Sequence, residues 1–334
     1  TGIGIYLNQT ANVRLDRMQL NGFGNFAIRG FEVAGLSMTG VVVSGTNGNS
    51  AAENEGSVVF GAEAGETGGA RNGLTGVVSI TSCEISGGHE DNLKIRNQSG
   101  TLSQLTLTST TIRDNTTVSP GNNGVLFQAD GTANMTVDVV GGSFLRNRAN
   151  GIQVITNGGG TMDFSTTGGI FTDNNIGVNV AHNSTGTMLF AIGTGTYSAT
   201  APGKASPINV NLGAVASGPM TGTVSGNTIT NANSSTGPGI RVISNGANAA
   251  VLTLQVQGNN ISQIGNRGIE MIARDGNSVI NATVRSNTVN LTDPLSADGI
   301  RIDAGAVSTD TTTICADIAQ NTSTTIGGLF GVRV

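Results

Sequence analysis

Apolar and polar positions alternate along most of this chain, and the alternation comes in short bursts. A Gly is followed by an apolar, an outward and a second apolar residue in GIYL (4–7), GVLF (124–127), GIQV (151–154), GVNV (177–180), GIRV (239–242), GIEM (268–271), GIRI (299–302) and GLFG (328–331). Weaker versions, NFAI (25–28), SVVF (57–60), NLKI (92–95) and PINV (207–210), fill the gaps. Period-2 alternation of this kind predicts short, half-buried strands. The first apolar residue of each unit gives an anchor series: Ile5, Phe26, Val58, Leu93, Val125, Ile152, Val178, Ile208, Ile240, Ile269, Ile300 and Leu329. The series repeats at intervals of 21 to 35 residues with a mean near 29.

A second alternating segment precedes many anchors and ends in a bend, as in VSITSCEI (78–85), LTLTSTTI (105–112), GTVSGNTI (222–229), LTLQVQGNNI (252–261) and NATVRSNTV (281–289). The bend places Asn227, Asn260, Asn287 and Asn321 at one aligned position. Asn tolerates left-handed backbone and bonds its own turn. Stacked in register, such residues form a ladder. A period near 29 with two or three strands per period predicts an all-β, right-handed parallel β-helix of about 12 coils. It is read as one domain over residues 1–334, a fragment of a longer polypeptide. A leucine-rich horseshoe lacks its consensus here, and a propeller lacks its Trp-bearing marks.

Composition sharpens this picture. Gly supplies 51 of 334 residues, Trp is absent, aromatics are 4% and 37% of residues are hydrophobic. Gly without a period of three excludes collagen, and alternating apolar residues at this share exclude disorder. The formal charge of −5 and the absence of a basic run exclude an electrostatic nucleic-acid partner. No apolar run approaches membrane-spanning length, so no membrane insertion is expected. Cys83 and Cys315 fall about eight coils apart, roughly 38 Å at the β-strand spacing, and are expected to be free thiols.

The G-I-x-V and G-N-T-I units resemble the pectate-lyase-like β-helix regions of large bacterial secreted or surface proteins. The resemblance covers essentially all of the chain and carries the fold rather than a chemistry. It implies an extracellular or cell-surface location, flanking domains of the same polypeptide, and a structural or adhesive role. Bare solenoid ends would also favour end-to-end self-association.

Enzymes of this fold offer a comparison. Polygalacturonase-like hydrolases carry NTD, DD, GHG and RIK motifs. This chain has only GHE (88–90) and RID (301–303), seven coils apart. Pectate lyases resemble a different scheme, with clustered Ca²⁺-binding Asp and a basic residue as base.

The most charged stretch, GGHEDNLKIRN (87–97), is the best place to look for chemistry. Aligning Leu93 with Val58 sets Glu90 over Glu55 and Asp91 over Gly56, with Lys94 outward and Arg96 two residues on. Carboxylates at that spacing can share a proton or bind Ca²⁺. If the chain is an enzyme, its candidates are Glu55, Glu90, Asp91 and Lys94, for a polysaccharide lyase or glycoside hydrolase. The plainer account is a charged turn at a solvated edge.

One residue after each anchor runs an outward row: Tyr6, Ala27, Val59, Lys94, Leu126, Gln153, Asn179, Asn209, Arg241, Glu270, Arg301 and Phe330. Arg241, Glu270 and Arg301 alternate in sign, as a ladder that fixes register would. Lys94, Arg96, Gln153, Asn179, Asn209, Arg241, Glu270 and Arg301 are the candidate binding residues for a polysaccharide or cell-surface glycan. Thr-rich stretches TLTST (106–110) and TTT (311–313) share no position, which speaks against an ice-binding face. The expected function is a non-enzymatic rod presenting a polar surface. A lyase or hydrolase is the alternative, and a tailspike-like trimeric glycan binder the third reading.

Overall fold

The computed structural model describes residues 2–115, 122–199, 204–230, 237–246, 250–293, 296–305, 309–325 and 330–334. Every regular element among them is a β-strand. The strands form three parallel sheets, which makes the chain a parallel β-solenoid. The first sheet has twelve strands and the other two eleven each, so complete coils fall slightly short of the expected twelve. The chain divides into two compact units, Thr1–Phe164 and Ser165–Val334.

In the first unit the first-sheet strands are Ile3–Asn8, Phe26–Phe31, Val58–Phe60, Leu93–Asn97, Val125–Ala129 and Asn150–Gly158. Ile5, Ile28, Val58, Leu93, Val125 and Ile152 pair in one register. In the second unit the first-sheet strands are Ile176–Ser184, Ile208–Leu212, Ile240–Asn245, Ile269–Arg274, Ile300–Ala304 and Val332–Arg333. There Val178, Ile208, Ile240, Ile269, Ile300 and Val332 pair in one register.

Two expected anchors move. Ile28, not Phe26, continues the row, and Phe26 pairs with Ile3. Both Phe26 and Ile28 are apolar and two apart, so alternation alone cannot choose between them. Leu329 lies outside the described residues, and Val332 holds the last place.

Each sheet buries alternate side chains against the interior. In Val251–Gln257 the residues Leu252, Leu254 and Val256 are buried, while Thr253, Gln255 and Gln257 face out. Burying each such side chain contributes roughly 1.5–3 kcal/mol. Stacked coils also stack rings: Phe127 and Phe164 lie 6.4 Å apart in the first unit, and Phe171 and Tyr197 lie 4.6 Å apart and near-parallel in the second.

The bend between the second- and third-sheet strands has a fixed backbone. One residue adopts positive φ, for example Arg17, Gly40, Ser82 and Ser109 in the first unit, and Thr194, Gly226, Gly258, Ser286 and Gln320 in the second. The next residue turns its side chain inward, buried at Val41, Cys83 and Thr110 and half-buried at Met18, while after Thr194 the place is held by Gly195. In four of these bends that residue is Asn227, Asn259, Asn287 or Asn321. Asn260 is therefore not the ladder residue: it opens the next strand, beside Thr228 and Thr288. The left-handed position is the residue before each Asn, and the Asn itself serves through its amide.

Candidate functional site

The charged stretch forms the turn between strands Glu84–Ser86 and Leu93–Asn97. Gly87 starts it at φ +77°, where an added Cβ would sit 1.6 Å from the Gly45 carbonyl oxygen. Only Gly fits so close an approach. The expected stacking holds in the backbone: the Glu90 N–H donates to the Glu55 carbonyl at 2.8 Å, and the Ser57 N–H to the Asp91 carbonyl at 3.2 Å.

The carboxylates, however, turn to different partners. Glu55 accepts from Asn25 Nδ2 at 2.5 Å and from the Asn49 and Ser50 N–H groups at 2.7 and 2.8 Å. Asp91 Oδ1 accepts from the Asn123 N–H at 2.8 Å and from its Nδ2 at 2.9 Å. Glu90 Oε2 accepts from Asn122 Nδ2, while Oε1 is buried with no partner among the described residues. Burial, helped by the Asp91 charge, pushes the Glu90 carboxyl up to about 7, against the pull of Asn122 and Lys94. Burial also raises Asp91, opposed by Lys94 and the Asn123 bonds. A carboxyl near neutrality with a free oxygen can exchange a proton.

Lys94 does point away from the coil interior, but it does not reach solvent. The segment 61–73, GAEAGETGGARNG, lies over it, and Lys94 is 1% exposed. Its Nζ sits 2.8 Å from Glu63 Oε1 and 3.8 Å from Glu66 Oε1. Burial in an ion pair holds the ammonium in place and takes it off the presented surface. Arg96 is likewise buried: Nε lies 2.6 Å from Asp130 Oδ2, and Nη1 donates to the Ala62 carbonyl. Both side chains are buried, where the alternation alone would set them outward in solvent.

The outward row also changes at two places. Arg29 takes the position assigned to Ala27, between Tyr6 and Val59. Arg333 takes the position assigned to Phe330. In the first unit Gln153 closes the row beside Leu126 and accepts from Asn150 Nδ2 at 2.9 Å.

In the second unit the row is continuous and polar. Asn209 Nδ2 donates to Asn179 Oδ1 at 2.8 Å. Asn209 pairs with Arg241, Arg241 with Glu270, and Glu270 with Arg301. Arg241 Nε lies 3.6 Å from Glu270 Oε2, and Arg267 Nη1 lies 2.5 Å from Glu270 Oε1. Arg301 turns to Asp303 at 2.5 Å, which raises its pKa further. Glu270 is buried, whereas Asn179, Asn209, Arg241 and Arg301 stay half-buried.

A second surface was not read from the sequence. On the third sheet of this unit Thr196, Thr228, Asn260, Thr288 and Thr322 form an exposed row in register. The signal lay in the T-x-S/T units after three of these bends, TYS (196–198), TIT (228–230) and TST (322–324).

Among the described residues no group of three His, Cys, Asp or Glu is placed to hold a metal ion. Cys83 and Cys315 are free, and burial raises the Cys83 thiol. Among the described residues no helix is long and apolar enough to cross a membrane. No protein-family model matches the chain, and neither a curated protein nor a solved structure matches it.

Proposed function

We propose that this chain is a non-enzymatic structural or adhesive module of a bacterial extracellular protein, of the pectate-lyase-like kind, and that its polar rows hold an extended glycan. The observation that carries this reading is the in-register row Asn179–Asn209–Arg241–Glu270–Arg301. Parallel strands repeat at about 4.8 Å, so the row offers amides and guanidinium groups at a regular spacing along one face. Such groups bond hydroxyl and carboxylate oxygens. A regular polymer of such oxygens matches a regular array better than any single small molecule does.

The test is retention on immobilised neutral and acidic polysaccharides, with Arg241→Ala/Arg301→Ala as the matched variant. Retention of the wild type that drops at least fivefold in the variant supports the reading. Equal retention of the two, or none by either, overturns it.

Glu90 favours a second reading, a polysaccharide lyase or hydrolase, because its free oxygen and raised pKa suit a general acid or base. Against it, Glu55 and Asp91 are engaged by amide donors and Lys94 by Glu63. Release of reducing ends or unsaturated products that vanishes in Glu90→Gln, assayed with and without Ca²⁺, would establish it.

A further inference from the structure

An open cleft of about 390 Å³ lies on the outward face of the strands Ile3–Asn8 and Phe26–Phe31. That volume falls within the range of small-molecule sites, about 300–1,000 Å³. Three features line it, and each makes its own demand on an occupant.

The first is Arg29. Its guanidinium lies over both the Phe26 and the Phe31 rings, 4.5 Å from each centroid. Nη2 is bound to Glu66 Oε2 at 2.5 Å, but Nη1 is buried with no partner among the described residues. The residue is 4% exposed, so water reaches it poorly. A buried donor without an acceptor costs about 1–3 kcal/mol. A ligand oxygen in the cleft would remove that cost.

The second is Tyr6, which stands edge-on to Phe31 at 6.2 Å and is 53% exposed. Its open ring offers a flat apolar platform beside the polar floor.

The third is Glu53 on the rim. Its two oxygens accept from the Thr67 N–H and hydroxyl, each at 2.8 Å. A carboxylate has about four acceptor sites, so two remain for ligand hydroxyls. Glu55 also lines the cleft, and Glu66 already neutralises Arg29. Arg71, over the Phe31 ring, is paired with Glu32 at 3.6 Å, so Glu53 and Glu55 leave the cleft with excess negative charge that disfavours an anion.

The occupant must accept from Arg29, donate to Glu53, lay an apolar face on Tyr6 and carry no negative charge. An ammonium cannot accept, and a carboxylate cannot donate and is repelled. We propose that the cleft binds one residue of a neutral sugar, with its C–H face on Tyr6, an oxygen on Arg29 Nη1 and a hydroxyl on Glu53. This subsite rests on the glycan-binding reading above and gives it a chemical class.

The chain has two tyrosines and no Trp, and Tyr197 is buried and does not line the cleft, so a ligand-induced change in tyrosine emission reports on Tyr6. Wild-type protein is titrated with the methyl glycosides of glucose, mannose and N-acetylglucosamine, and with glucuronate. Expected is a saturable change with at least one neutral glycoside and at least fivefold weaker binding of glucuronate.

By calorimetry, Tyr6→Ala, at an exposed side chain, and Glu53→Gln, at a half-buried one, should each weaken that binding about tenfold. No saturation by any neutral glycoside to about 100 mM, tighter binding of glucuronate, or unchanged affinity in both variants overturns the subsite. Retention of Tyr6→Ala on neutral polysaccharide separates the two readings. If variant and wild type are both retained equally, the subsite falls and the glycan-binding reading stands. If a glycoside saturates the cleft but no polysaccharide retains the wild type, the glycan-binding reading falls alone.

Discussion

Asn259 Oδ1 accepts two hydrogen bonds from Asn227, one from its backbone N–H and one from its Nδ2, each at 3.0 Å. Asn287 does the same for Asn259, and Asn321 for Asn287. The second Nδ2 proton of each goes to a strand carbonyl, such as Val224 for Asn259. The ladder thus satisfies the bend's buried amides without water. Asn259→Ala removes an acceptor for two donors and a donor for two acceptors. Expected is a loss of roughly 2–4 kcal/mol, read from the urea unfolding curve. Asn260→Ala, on the exposed strand next door, should change stability by no more than about 0.5 kcal/mol.

Why the sequence points to Asn260 and the fold uses Asn259 is a matter of local ambiguity. The stretch GNN offers two Asn, and stacking alone decides which turns inward. The strand pattern itself was legible, because G-I-x-V marks a buried pair flanking an outward residue on a period that no other fold explains. Ile5, Val58, Leu93 and Val125 hold their places in the first unit, and Val178 through Ile300 in the second. The burial of Lys94 was not legible. GAEAGETGGARNG reads as a solvated Gly-rich connection, and nothing in its periodicity says that Glu63 and Glu66 fold back over the sheet. Arg29 was missed for a related reason: its strand runs on to Phe31, past the point where the four-residue unit ends.

That covering segment is tied down by Glu66. It binds Arg29 at 2.5 Å, lies 3.8 Å from Lys94, and accepts from the Glu63 N–H and from Asn54. Removing one member of a buried ion pair strands the other charge. Glu66→Ala should cost about 3–5 kcal/mol and open residues 61–73 to limited proteolysis. Glu53→Ala, at a half-buried side chain bound to Thr67 of that segment, removes two hydrogen bonds but strands no buried charge, so it should raise the cleavage rate less than Glu66→Ala does. Equal protease resistance of Glu66→Ala and wild type would contradict the role given to Glu66.

The left-handed bends give a paired prediction. Gly226 has φ +65°, and an added Cβ meets only Thr194 Cγ2 at 3.5 Å, an ordinary contact. The cost of Gly226→Ala is therefore conformational, about 1 kcal/mol. Ser109 occupies the equivalent bend at φ 47° and is exposed. Ser109→Gly relieves the same strain and loses part of the gain to the freer unfolded chain. Expected is a gain of up to about 0.5–1 kcal/mol. Thermal melting of both variants checks the opposite signs.

Glu90 sets a pH dependence of definite sign. Its carboxyl is raised from 4.5 to about 7 in the folded chain, chiefly by burial and then by Asp91. Between those values the folded state holds a proton that the unfolded state has released, so stability falls as pH rises. The contribution is fully present below about pH 4.5 and is lost as pH passes 7. Asp91, also raised by burial, acts in the same direction, while His182, lowered by burial, acts in the opposite one. Wild type minus variant removes His182 and reports Glu90 together with its coupling to Asp91. Glu90→Gln keeps an oxygen for Asn122 Nδ2 and carries no charge, so its stability should fall less than that of the wild type between pH 5 and pH 8. Urea midpoints measured across that range decide it: parallel profiles would mean that Glu90 is ionised at neutral pH and that its burial does not raise it.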